Sequence, residues 1–247
     1  MRVENKTYWE DEAVILTQDQ TKTSLTAFEK FLFEQAKIRF SNNNMTVQHA
    51  IIYGCGTGRD INEVIKFFGN IKVSAYDISS NMIKKCIENI QLWKLSNIET
   101  TVCDVVNYPV LPTQYELSII LNSMLTYVHK REQRMQIFKN SYTTLKNNGV
   151  VLGVVHNQVG VFTKTVYFKL RKTFKFFLKE EVGHRYSGSI GYKVKSYYYT
   201  KQDLIKDLEE SNFKNIEVYS LEEYFAKQGQ KYDRSKGYNN LIFIAQK

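Results

Sequence analysis

Three glycines at alternate positions, Gly54, Gly56 and Gly58, lie between a short apolar run and a stretch with helical spacing. The apolar run, residues 47–53, follows a polar cluster and is typical of a buried strand. Residues 59–68 carry apolar side chains three and four positions apart and end at a glycine, which predicts an α-helix. Glycine tolerates positive φ and lets a ligand approach the backbone closely. A strand, a glycine turn and a helix in this order predict one unit of an α/β fold.

The alternation of apolar runs and helical patterns continues along the chain and defines the fold class. Runs typical of strands occur at residues 47–53, 71–76, 98–103, 117–121, 149–155, 215–219 and 241–245. Helical patterns occur at residues 24–40, 59–68, 80–93, 132–145 and 202–208. Strands that alternate with helices of about 10 to 15 residues form parallel sheets with helices on both faces. The sequence therefore predicts an α/β fold around a mostly parallel, seven-stranded sheet.

The predicted sheet accounts for most of the chain, so residues 1–247 are expected to form a single domain. No internal repeat, low-complexity tract or linker divides the sequence. Residues 24–40 are the predicted N-terminal helix of this domain. Residues 157–199 interrupt the alternation and are too long for a simple connection between a helix and a strand. Because they are rich in aromatic residues and lysines, they are predicted to be an inserted helical cover or lid, and within it a plain β-hairpin at residues 186–199 stays open.

Composition excludes several classes of protein. Hydrophobic residues make up 43% of the chain, which is typical of a globular protein rather than a disordered one. Cys55, Cys86 and Cys103 form no closely spaced pair, so neither a disulfide framework nor a structural zinc site is expected. No apolar stretch is long enough to be a transmembrane segment. The polar and acid-containing residues 1–23 predict no signal peptide, so a cytoplasmic location is expected.

The chain is basic, with 34 Lys and Arg against 25 Asp and Glu and a formal net charge of +9. An anionic partner explains such an excess, and so does a generally lysine-rich composition. Residues 164–179 hold six basic residues and no acid, interleaved with aromatic side chains. This pattern is typical of a segment that contacts a membrane surface or another anionic partner such as RNA. A helix that packs its aromatic side chains on the sheet has the same pattern, so both interpretations stay open.

Two acids follow the predicted second and third strands. Asp77 comes about 20 residues after the glycine turn, where an acid accepts hydrogen bonds from ribose hydroxyls in nucleotide-binding folds. Asp104 is placed to accept a hydrogen bond from the amino group of a base. A dinucleotide-binding turn has its third glycine one position later, where this chain has Arg59, so a nucleoside without a pyrophosphate is favoured. A turn or helix-capping role is the alternative for each aspartate.

Five stretches in this order resemble the motifs of the class I S-adenosylmethionine-dependent methyltransferases. They are residues 50–58, 73–82, 103–105, 115–123 and 145–149. The resemblance covers most of the chain between residues 50 and 155, and the two late strands are consistent with the final hairpin of that family. It implies a Rossmann-like fold, S-adenosyl-L-methionine as the cofactor and methyl transfer as the reaction.

The resemblance also implies roles for individual residues. Asp77 would bind the ribose and Asp104 the adenine, while Leu121 and Asn122 would flank the sulfonium. The full set of implied cofactor contacts is Tyr53, Gly54, Cys55, Gly56, Gly58, Asp77, Ile78, Met82, Cys103, Asp104, Val105, Leu121 and Asn122. Its apolar members would enclose the purine ring. The sequence departs from the family at Ile52, where an acid that orders the loop is common.

Methyl transfer to a hydroxyl or an ammonium also requires a base that removes a proton. His156 follows the fifth strand directly and is the first candidate, and Tyr127, after the fourth strand, is the second catalytic candidate. Together with these two, Tyr8, His184 and Arg185 are candidates for contacts with the acceptor. A structural role at a strand end, in a loop or in the core also explains each of them. No cluster of acids and histidines predicts a metal site.

The expected activity is therefore that of a methyltransferase acting on oxygen or nitrogen of a small-molecule, saccharide-like or phosphorylated metabolite. The alternative is an RNA methyltransferase, including one that modifies a cap-type guanine, which the basic insertion favours. A non-catalytic regulator that binds the cofactor is a third interpretation. The glycine spacing argues against an oxidoreductase. The acceptor and the oligomeric state are left open by the sequence.

Overall fold

The computed structural model describes residues 1–108, 112, 114–236 and 239–247. Within them the strands are β1 Arg2–Val3, β2 His49–Tyr53, β3 Lys72–Asp77, β4 Ile98–Val102, β5 Tyr115–Ile120, β6 Leu145–His156, β7 His184–Ser187, β8 Lys193–Tyr197, β9 Lys214–Ser220 and β10 Asn240–Gln246. The α-helices are α1 Asn5–Trp9, α2 Glu12–Thr21, α3 Ala27–Asn42, α4 Arg59–Phe68, α5 Ser80–Leu92, α6 Arg131–Thr144, α7 Phe162–Thr173, α8 Lys201–Glu210 and α9 Leu221–Lys227. Short 3-10 helices cover Met124–Tyr127, Lys175–Phe177 and Arg234–Lys236. Among these described segments, no helix has both the length and the apolar composition needed to cross a lipid bilayer.

Seven strands form one sheet in the order β4-β3-β2-β5-β6-β10-β9. Strand β10 runs antiparallel to both of its neighbours, and the other neighbouring pairs are parallel. The predicted seven-stranded, mostly parallel sheet is therefore confirmed. The chain enters the sheet at β2, moves outward to β4 and then returns to β5 on the other side of β2. Such a reversal of strand order leaves a crevice at the carboxyl ends of the central strands, where open α/β sheets bind ligands.

Helices cover both faces of this sheet. Leu32 and Val64 belong to the apolar cluster on one face, and Phe138 and Leu208 belong to the cluster on the other. Each such fully buried side chain contributes about 1.5–3 kcal/mol to stability through the removal of apolar surface from water. Strand β5 is buried along its whole length. Its two polar side chains are buried with partners: the Ser118 hydroxyl accepts that of Ser141 at 2.7 Å, and the Glu116 carboxylate accepts the N–H of His49 at 2.8 Å.

The N-terminal helix α3 begins three residues later than predicted. Thr26 is its N-cap, because the Thr26 hydroxyl accepts the N–H of Glu29 at 3.3 Å and the Glu29 carboxylate accepts the N–H of Thr26 at 2.8 Å. This reciprocal arrangement satisfies two backbone donors that the first turn of a helix leaves without partners. The helix therefore starts at Ala27 rather than at residue 24.

The inserted segment, residues 157–199, is only partly helical. It contains α7, the 3-10 helix Lys175–Phe177 and the antiparallel hairpin formed by β7 and β8. Strand β1 pairs in parallel with β8, so the N-terminal residues and the insertion share a second, three-stranded sheet. The expectation of a helical cover is corrected by this hairpin, which the sequence left open at residues 186–199. Strand β1 has two residues and pairs with a segment far along the chain, so no local pattern predicts it.

Candidate functional site

The glycine turn after β2 lies at the carboxyl edge of the sheet. Gly54 and Gly56 have φ of +74° and +53°, in the left-handed region that favours glycine. The N–H groups of Gly54 and Cys55 both donate to the carbonyl of Tyr76, at 2.8 and 3.0 Å, which fixes the turn against the end of β3. A side chain at position 54 would collide with Met124, whereas a Cβ at Gly56 would enter open space. The backbone at Gly56 is therefore exposed to the crevice.

Asp77 ends β3 beside this turn. One carboxylate oxygen accepts the N–H of Gly56 at 2.9 Å, and the other accepts the N–H of Ser79 at 3.0 Å. Burial raises the pKa of the Asp77 carboxyl above its usual range, and the donors from Ser79 and Gly56 oppose the rise. Because a carboxylate accepts about four hydrogen bonds, Asp77 keeps acceptor capacity for a ligand in the crevice that it lines.

Asp104 follows β4 and has both of the roles that its sequence position suggests. Its carboxylate accepts the N–H of Val106 at 3.1 Å and the side-chain amide of Asn107 at 3.2 Å, so it stabilises a turn. The same residue lines the crevice. The turn interactions hold the carboxylate in place next to the space that a ligand would occupy.

One cleft of about 830 Å³ joins these groups. Its lining includes the predicted cofactor residues Gly54, Cys55, Gly56, Asp77, Ile78, Met82, Cys103, Asp104, Val105 and Asn122. The lining thus combines two carboxylates and an amide with apolar side chains, and Gly56 leaves open space at the backbone. A few placed polar groups in a mainly apolar cleft fit a ligand that has both a ribose and a purine ring.

The N-terminal segment forms another wall of the cleft, contributed by Asn5, Trp9, Gln18 and Lys22. The Ser79 hydroxyl donates to the carbonyl of Trp9 at 2.9 Å. The Glu10 carboxylate accepts two backbone N–H groups at the start of α5, at 2.8 and 3.1 Å. Trp9 lines the cleft, whereas Tyr8, a predicted acceptor contact, is buried and places its hydroxyl 2.9 Å from Ser189 Oγ in the cover. The segment is therefore attached both to the main sheet and to the cover.

Three predicted cofactor residues do not line the cleft. Tyr53 is fully buried with its hydroxyl 3.5 Å from Thr144 Oγ1, and Leu121 is fully buried in the core. Gly58 is the N-cap of α4, and a side chain there would meet Cys86 Sγ at 2.9 Å. Helices cover both faces of the sheet, so residues next to the glycine turn in sequence point into the core rather than into the cleft.

A buried ion-pair network next to the glycine turn was missed by sequence reasoning. Arg59 donates to Asp60 at 2.7 Å and to Glu29 at 3.0 Å, and all three residues are buried. Burial raises the pKa of Asp60, although the charge of Arg59 opposes the rise. The second carboxylate oxygen of Asp60 lies 3.4 Å from the amide nitrogen of Asn122 on the cleft wall. The network therefore connects α3, the glycine turn and the cleft.

This network bears on position 52, where the chain has Ile52 and the family that it resembles commonly has an acid. Ile52 is fully buried in the apolar core and brings no charge to the glycine turn. Asp60 brings a carboxylate to the other end of the same turn, through the first residues of α4. A charged residue in the first turn of a helix is usually solvated, so the burial of Asp60 could not be predicted from its position in the sequence.

A layer of aromatic rings separates the cleft from the cover. Tyr127 lines the cleft, and its ring centroid lies 5.0 Å from that of Trp9 and 6.2 Å from that of His156. His156, at the end of β6, lies 5.1 Å from the ring of Tyr198, which lines a separate cleft in the cover. The two catalytic candidates, Tyr127 and His156, are therefore neighbours within this layer.

The protonation states of the two candidates differ. The Nδ1 atom of His156 is buried and has no hydrogen-bond partner among the residues that the structure describes. Burial, reinforced by the charge of Lys164, lowers the pKa of His156 to about 4, so the ring is neutral at neutral pH. A neutral imidazole can accept a proton. Burial raises the pKa of Tyr127, so its phenol stays protonated.

The cover cleft, with about 1040 Å³ of empty space, is lined largely by residues of β7, β8 and their connection, and also by Lys164 and Arg185. Lys164 is 6% exposed and its ammonium lies 5.7 Å from the Tyr198 ring centroid. The Arg185 guanidinium lies 5.9 Å from the same centroid. Neither cation has a carboxylate within ion-pair distance in the described part of the chain. Burial, together with the charge of Arg185, lowers the pKa of Lys164 to about 8. This cleft therefore presents Lys164 and Arg185, with Lys193 also in its lining, and no described carboxylate forms an ion pair with any of the three.

His184, another predicted acceptor contact, lies within the framework of the cover. It is buried, its Nε2 atom is 2.8 Å from the carbonyl of His129, and it lines neither the cofactor cleft nor the cover cleft. Its ring also lies 3.5 Å from Glu180 and 3.6 Å from Glu181. Within the ranges that the structure describes, no three His, Cys, Asp or Glu side chains are grouped so as to hold a metal ion.

The strand order, the glycine turn and the two acids at successive strand ends define a nucleoside-binding α/β protein of the methyltransferase type. Residues 51–149 match the family model described as a methyltransferase domain. This match and the fold assign residues 51–149 to a methyltransferase domain that resembles those of class I S-adenosylmethionine-dependent methyltransferases. A search of curated protein sequences finds no match.

Solved structures share the fold at low sequence identity. A Methanosarcina mazei S-adenosylmethionine-dependent methyltransferase is 20% identical with a TM-score of 0.61, and the match covers 84% of this chain and 96% of that one. NodS, an N-methyltransferase of Bradyrhizobium japonicum solved with S-adenosylhomocysteine, is 14% identical with a TM-score of 0.61 and 98% coverage of both chains. Phosphoethanolamine N-methyltransferase 2 of Haemonchus contortus, solved with S-adenosylmethionine, is 15% identical with a TM-score of 0.63, covering 99% of this chain and 60% of that one.

Proposed function

We propose that the enzyme methylates an oxygen or a nitrogen of a small molecule that carries an anionic group, such as a phosphorylated or acidic saccharide-like metabolite. The observation that carries the proposal is the pair of clefts. One aromatic layer separates the cofactor cleft from a cover cleft in which Lys164 and Arg185 have no carboxylate partner among the residues that the structure describes. Unpaired cations in a partly buried cleft are stabilised by an anion. In this proposal the chain works as a single domain, and residues 157–199 cover the acceptor.

The residues of the cofactor cleft have separate roles in this proposal. Asp77 accepts hydrogen bonds from the two ribose hydroxyls, and Asp104 accepts one from the adenine amino group. The apolar side chains Ile78, Met82 and Val105 enclose the purine ring. The open backbone at Gly56 and the amide of Asn122 bind the amino-acid end, and Cys55 and Cys103 complete the wall. These assignments combine the lining of the cleft with the motif resemblance.

When bound, the cofactor supplies an electrophilic methyl group on a sulfonium. The residues of this chain place the acceptor in line with that methyl group and exclude water from it. Trp9 and Tyr127 enclose the space between the cofactor and the acceptor. For a hydroxyl or an ammonium acceptor, the neutral ring of His156 is the proposed proton acceptor. His156 lines neither cleft and lies 6.2 Å from the ring of Tyr127, whose protonated phenol belongs to the wall of the cofactor cleft. Lys164 and Arg185 hold the anionic group of the acceptor.

The activity is tested by a screen for acceptors. S-Adenosylmethionine with a labelled methyl group is incubated with the enzyme and a cell extract, with and without ribonuclease, and the products are separated by charge and size. We expect label in small anionic products, unchanged by ribonuclease. Label that disappears with ribonuclease would support the RNA alternative, and no transfer to any acceptor would support a non-catalytic role. The Haemonchus enzyme is named for phosphoethanolamine, so this fold accommodates a small phosphorylated acceptor.

Replacement of His156 tests the proposed base. His156→Ala is expected to lower turnover by about 100-fold or more, the range in which general bases contribute, with unchanged affinity for S-adenosylmethionine. Because the pKa of His156 is about 4, the wild-type rate should show no acid limb between about pH 6 and 8. Initial rates of methyl transfer and calorimetric titration of the cofactor provide the measurements. Equal turnover in variant and wild type would give His156 a purely structural role.

Lys164 provides a test of the cover cleft that needs no identified acceptor. The folded-state pKa of about 8 lies below the ordinary 10.5, so the unfolded chain binds more protons between these values. The contribution of Lys164 to the free energy of unfolding therefore rises with pH through this window. Lys164→Met is expected to be more stable than wild type near pH 7, with a difference that shrinks towards about pH 10.

Urea denaturation at several pH values measures this effect, and Lys169→Met, an exposed lysine on the same helix, is the matched control. Inorganic phosphate is expected to stabilise the wild type and the control but not Lys164→Met. Equal stabilisation of all three proteins by phosphate would remove Lys164 from the proposed anion site.

A further inference from the structure

The helix and turn at residues 162–177 have a large apolar surface that the protein does not cover. Phe162, Phe176 and Phe177 are 81%, 86% and 85% exposed, and Leu170 and Phe174 are more than half exposed. Apolar patches of this kind on a monomer usually mark an interaction site. We call these five residues the phenylalanine face.

The position of this face on α7 shows that it is not part of the core. Phe162, Leu170 and Phe174 follow each other in multiples of four residues and so lie along one side of the helix. Lys164 and Phe168 are buried and lie on the opposite side, where α7 packs on the protein. The outward side of a solvated helix is normally polar. Here the outward side is apolar, which corrects the interpretation that all the aromatic residues of the segment pack on the sheet.

The charges around the phenylalanine face are all positive. Lys169, Lys172, Lys175 and Lys179 are exposed and form no ion pair with a described carboxylate. The acids that end the segment are already paired: Glu180 with Arg171 at 3.0 Å and Lys195 at 2.8 Å, and Glu181 with Arg134 at 2.9 Å. The lysines are therefore available to an external anion.

We propose that the phenylalanine face and these four lysines bind the surface of a membrane that contains anionic lipids. An apolar side chain is stabilised by entering the boundary between headgroups and acyl chains, while a lysine next to it remains among the anionic headgroups. The long stem of lysine suits this position because its methylene groups lie in the apolar layer and its ammonium reaches the phosphates. The most exposed members of the patch are phenylalanine and leucine, which suit burial in lipid better than readout of RNA bases. Tyr167 and Arg171 on the same helix are engaged within the protein, since the Tyr167 hydroxyl donates to the carbonyl of His184 at 3.2 Å and Arg171 donates to Glu180 at 3.0 Å.

This inference does not depend on the identity of the acceptor. The phenylalanine face points away from the protein, whereas Lys164 on the same helix lines the cover cleft. Membrane binding would bring the cover, and with it the entrance for the acceptor, to the lipid surface. The catalytic and cofactor-binding residues take no part in the proposed contact, so the two functions can be separated by mutation.

Co-sedimentation of the full chain with vesicles tests the proposal. Vesicles of mixed phosphatidylcholine and phosphatidylserine are compared with vesicles of phosphatidylcholine alone. We expect binding to the mixed vesicles that weakens as salt is added. The variant Phe176→Ser/Phe177→Ser is expected to bind at least about tenfold more weakly. Replacement of the four lysines by glutamine should also reduce binding at least about tenfold, since each basic residue near an anionic surface contributes about fivefold.

Matched controls use exposed residues elsewhere on the chain. Leu92→Ser removes an exposed apolar side chain from α5, and glutamine at Lys30, Lys84, Lys139 and Lys214 makes the same change in net charge. Both controls should bind as the wild type does, and the cofactor affinity of every variant should be unchanged. If the control variant with four other lysines replaced loses as much vesicle binding, net charge alone explains the loss and the proposal is overturned. Failure of the wild type to bind mixed vesicles, or binding of an RNA oligonucleotide that the vesicles do not displace, would also overturn it.

Discussion

Asp77→Ala is expected to reduce the affinity for S-adenosylmethionine by about 100-fold or more. Hydrogen bonds to a charged group contribute about 1.5–3 kcal/mol each, and the variant loses the two that the Asp77 carboxylate is proposed to make with the ribose hydroxyls. The variant also leaves the N–H groups of Gly56 and Ser79 without the carboxylate that accepts their hydrogen bonds in the wild type. Calorimetric titration with the cofactor and with S-adenosylhomocysteine measures the loss.

Two further variants separate recognition of the ribose from support of the turn. Asp77→Asn keeps an oxygen that can accept the N–H of Gly56 but removes the charge, so it should stay folded while still losing affinity. Asp104→Ala removes one proposed bond to the base and should lose only about tenfold. Unchanged affinity in Asp77→Asn, with a thermal unfolding curve like that of the wild type, would eliminate the ribose assignment.

Arg59→Met is expected to destabilise the fold by about 3–5 kcal/mol, the cost of leaving buried charges without their partner. Glu29 and Asp60 both lose their cation in this variant, and both are buried. Methionine keeps an apolar stem but lacks the guanidinium, so the loss combines the unpaired carboxylates with the space that the guanidinium filled. Urea denaturation measures it, and Arg234→Met, whose pair with Glu222 is exposed, should change stability by less than about 1 kcal/mol.

The pH dependence of Arg59→Met follows from the carboxyl of Asp60. Its pKa in the folded state is raised above its ordinary value, so the folded chain binds more protons than the unfolded one between the two values. Stability due to this group therefore falls as pH rises through that window. Without Arg59 the folded-state pKa rises further, so the variant should be less destabilised near pH 5 than near pH 8. An identical loss of stability at both pH values would show that the charges of Glu29 and Asp60 are not the cause.

The sheet could be predicted because its strands and helices carry local patterns. The run that became β2, the glycine turn and the helix Arg59–Phe68 each follow from spacing and residue type, and the buried sheet preserves these patterns. Asp77 could be placed for the same reason, since the end of a strand is visible in sequence. Tyr53 and Leu121 could not be placed in this way, because which side of a strand faces the cleft depends on how the helices pack.

Two of the features missed in the sequence depend on contacts between distant segments. Strand β1 exists only because β8 pairs with it, and Glu29 is buried only because Arg59 packs against it from another helix. The Thr26–Glu29 capping box was readable in the sequence and would have set the start of α3 correctly. The exposure of Phe176 and Phe177 was not readable, because a basic aromatic segment has the same composition whether its rings face the core or solvent.

The N-terminal segment, residues 2–22, forms part of the cofactor cleft and is also bound to the cover. Trp9 lines the cleft, while Asp11 accepts the hydroxyl of Tyr192 at 2.9 Å and β1 completes the sheet of the cover. Two binding events that move one shared piece of polypeptide are thermodynamically linked. An acceptor that shifts this piece will change the dissociation constant of the cofactor by some factor, and the cofactor will change that of the acceptor by the same factor. The initial rate of the reaction will then depend on whether the cofactor or the acceptor is added first. This coupling operates within one chain and requires no second subunit.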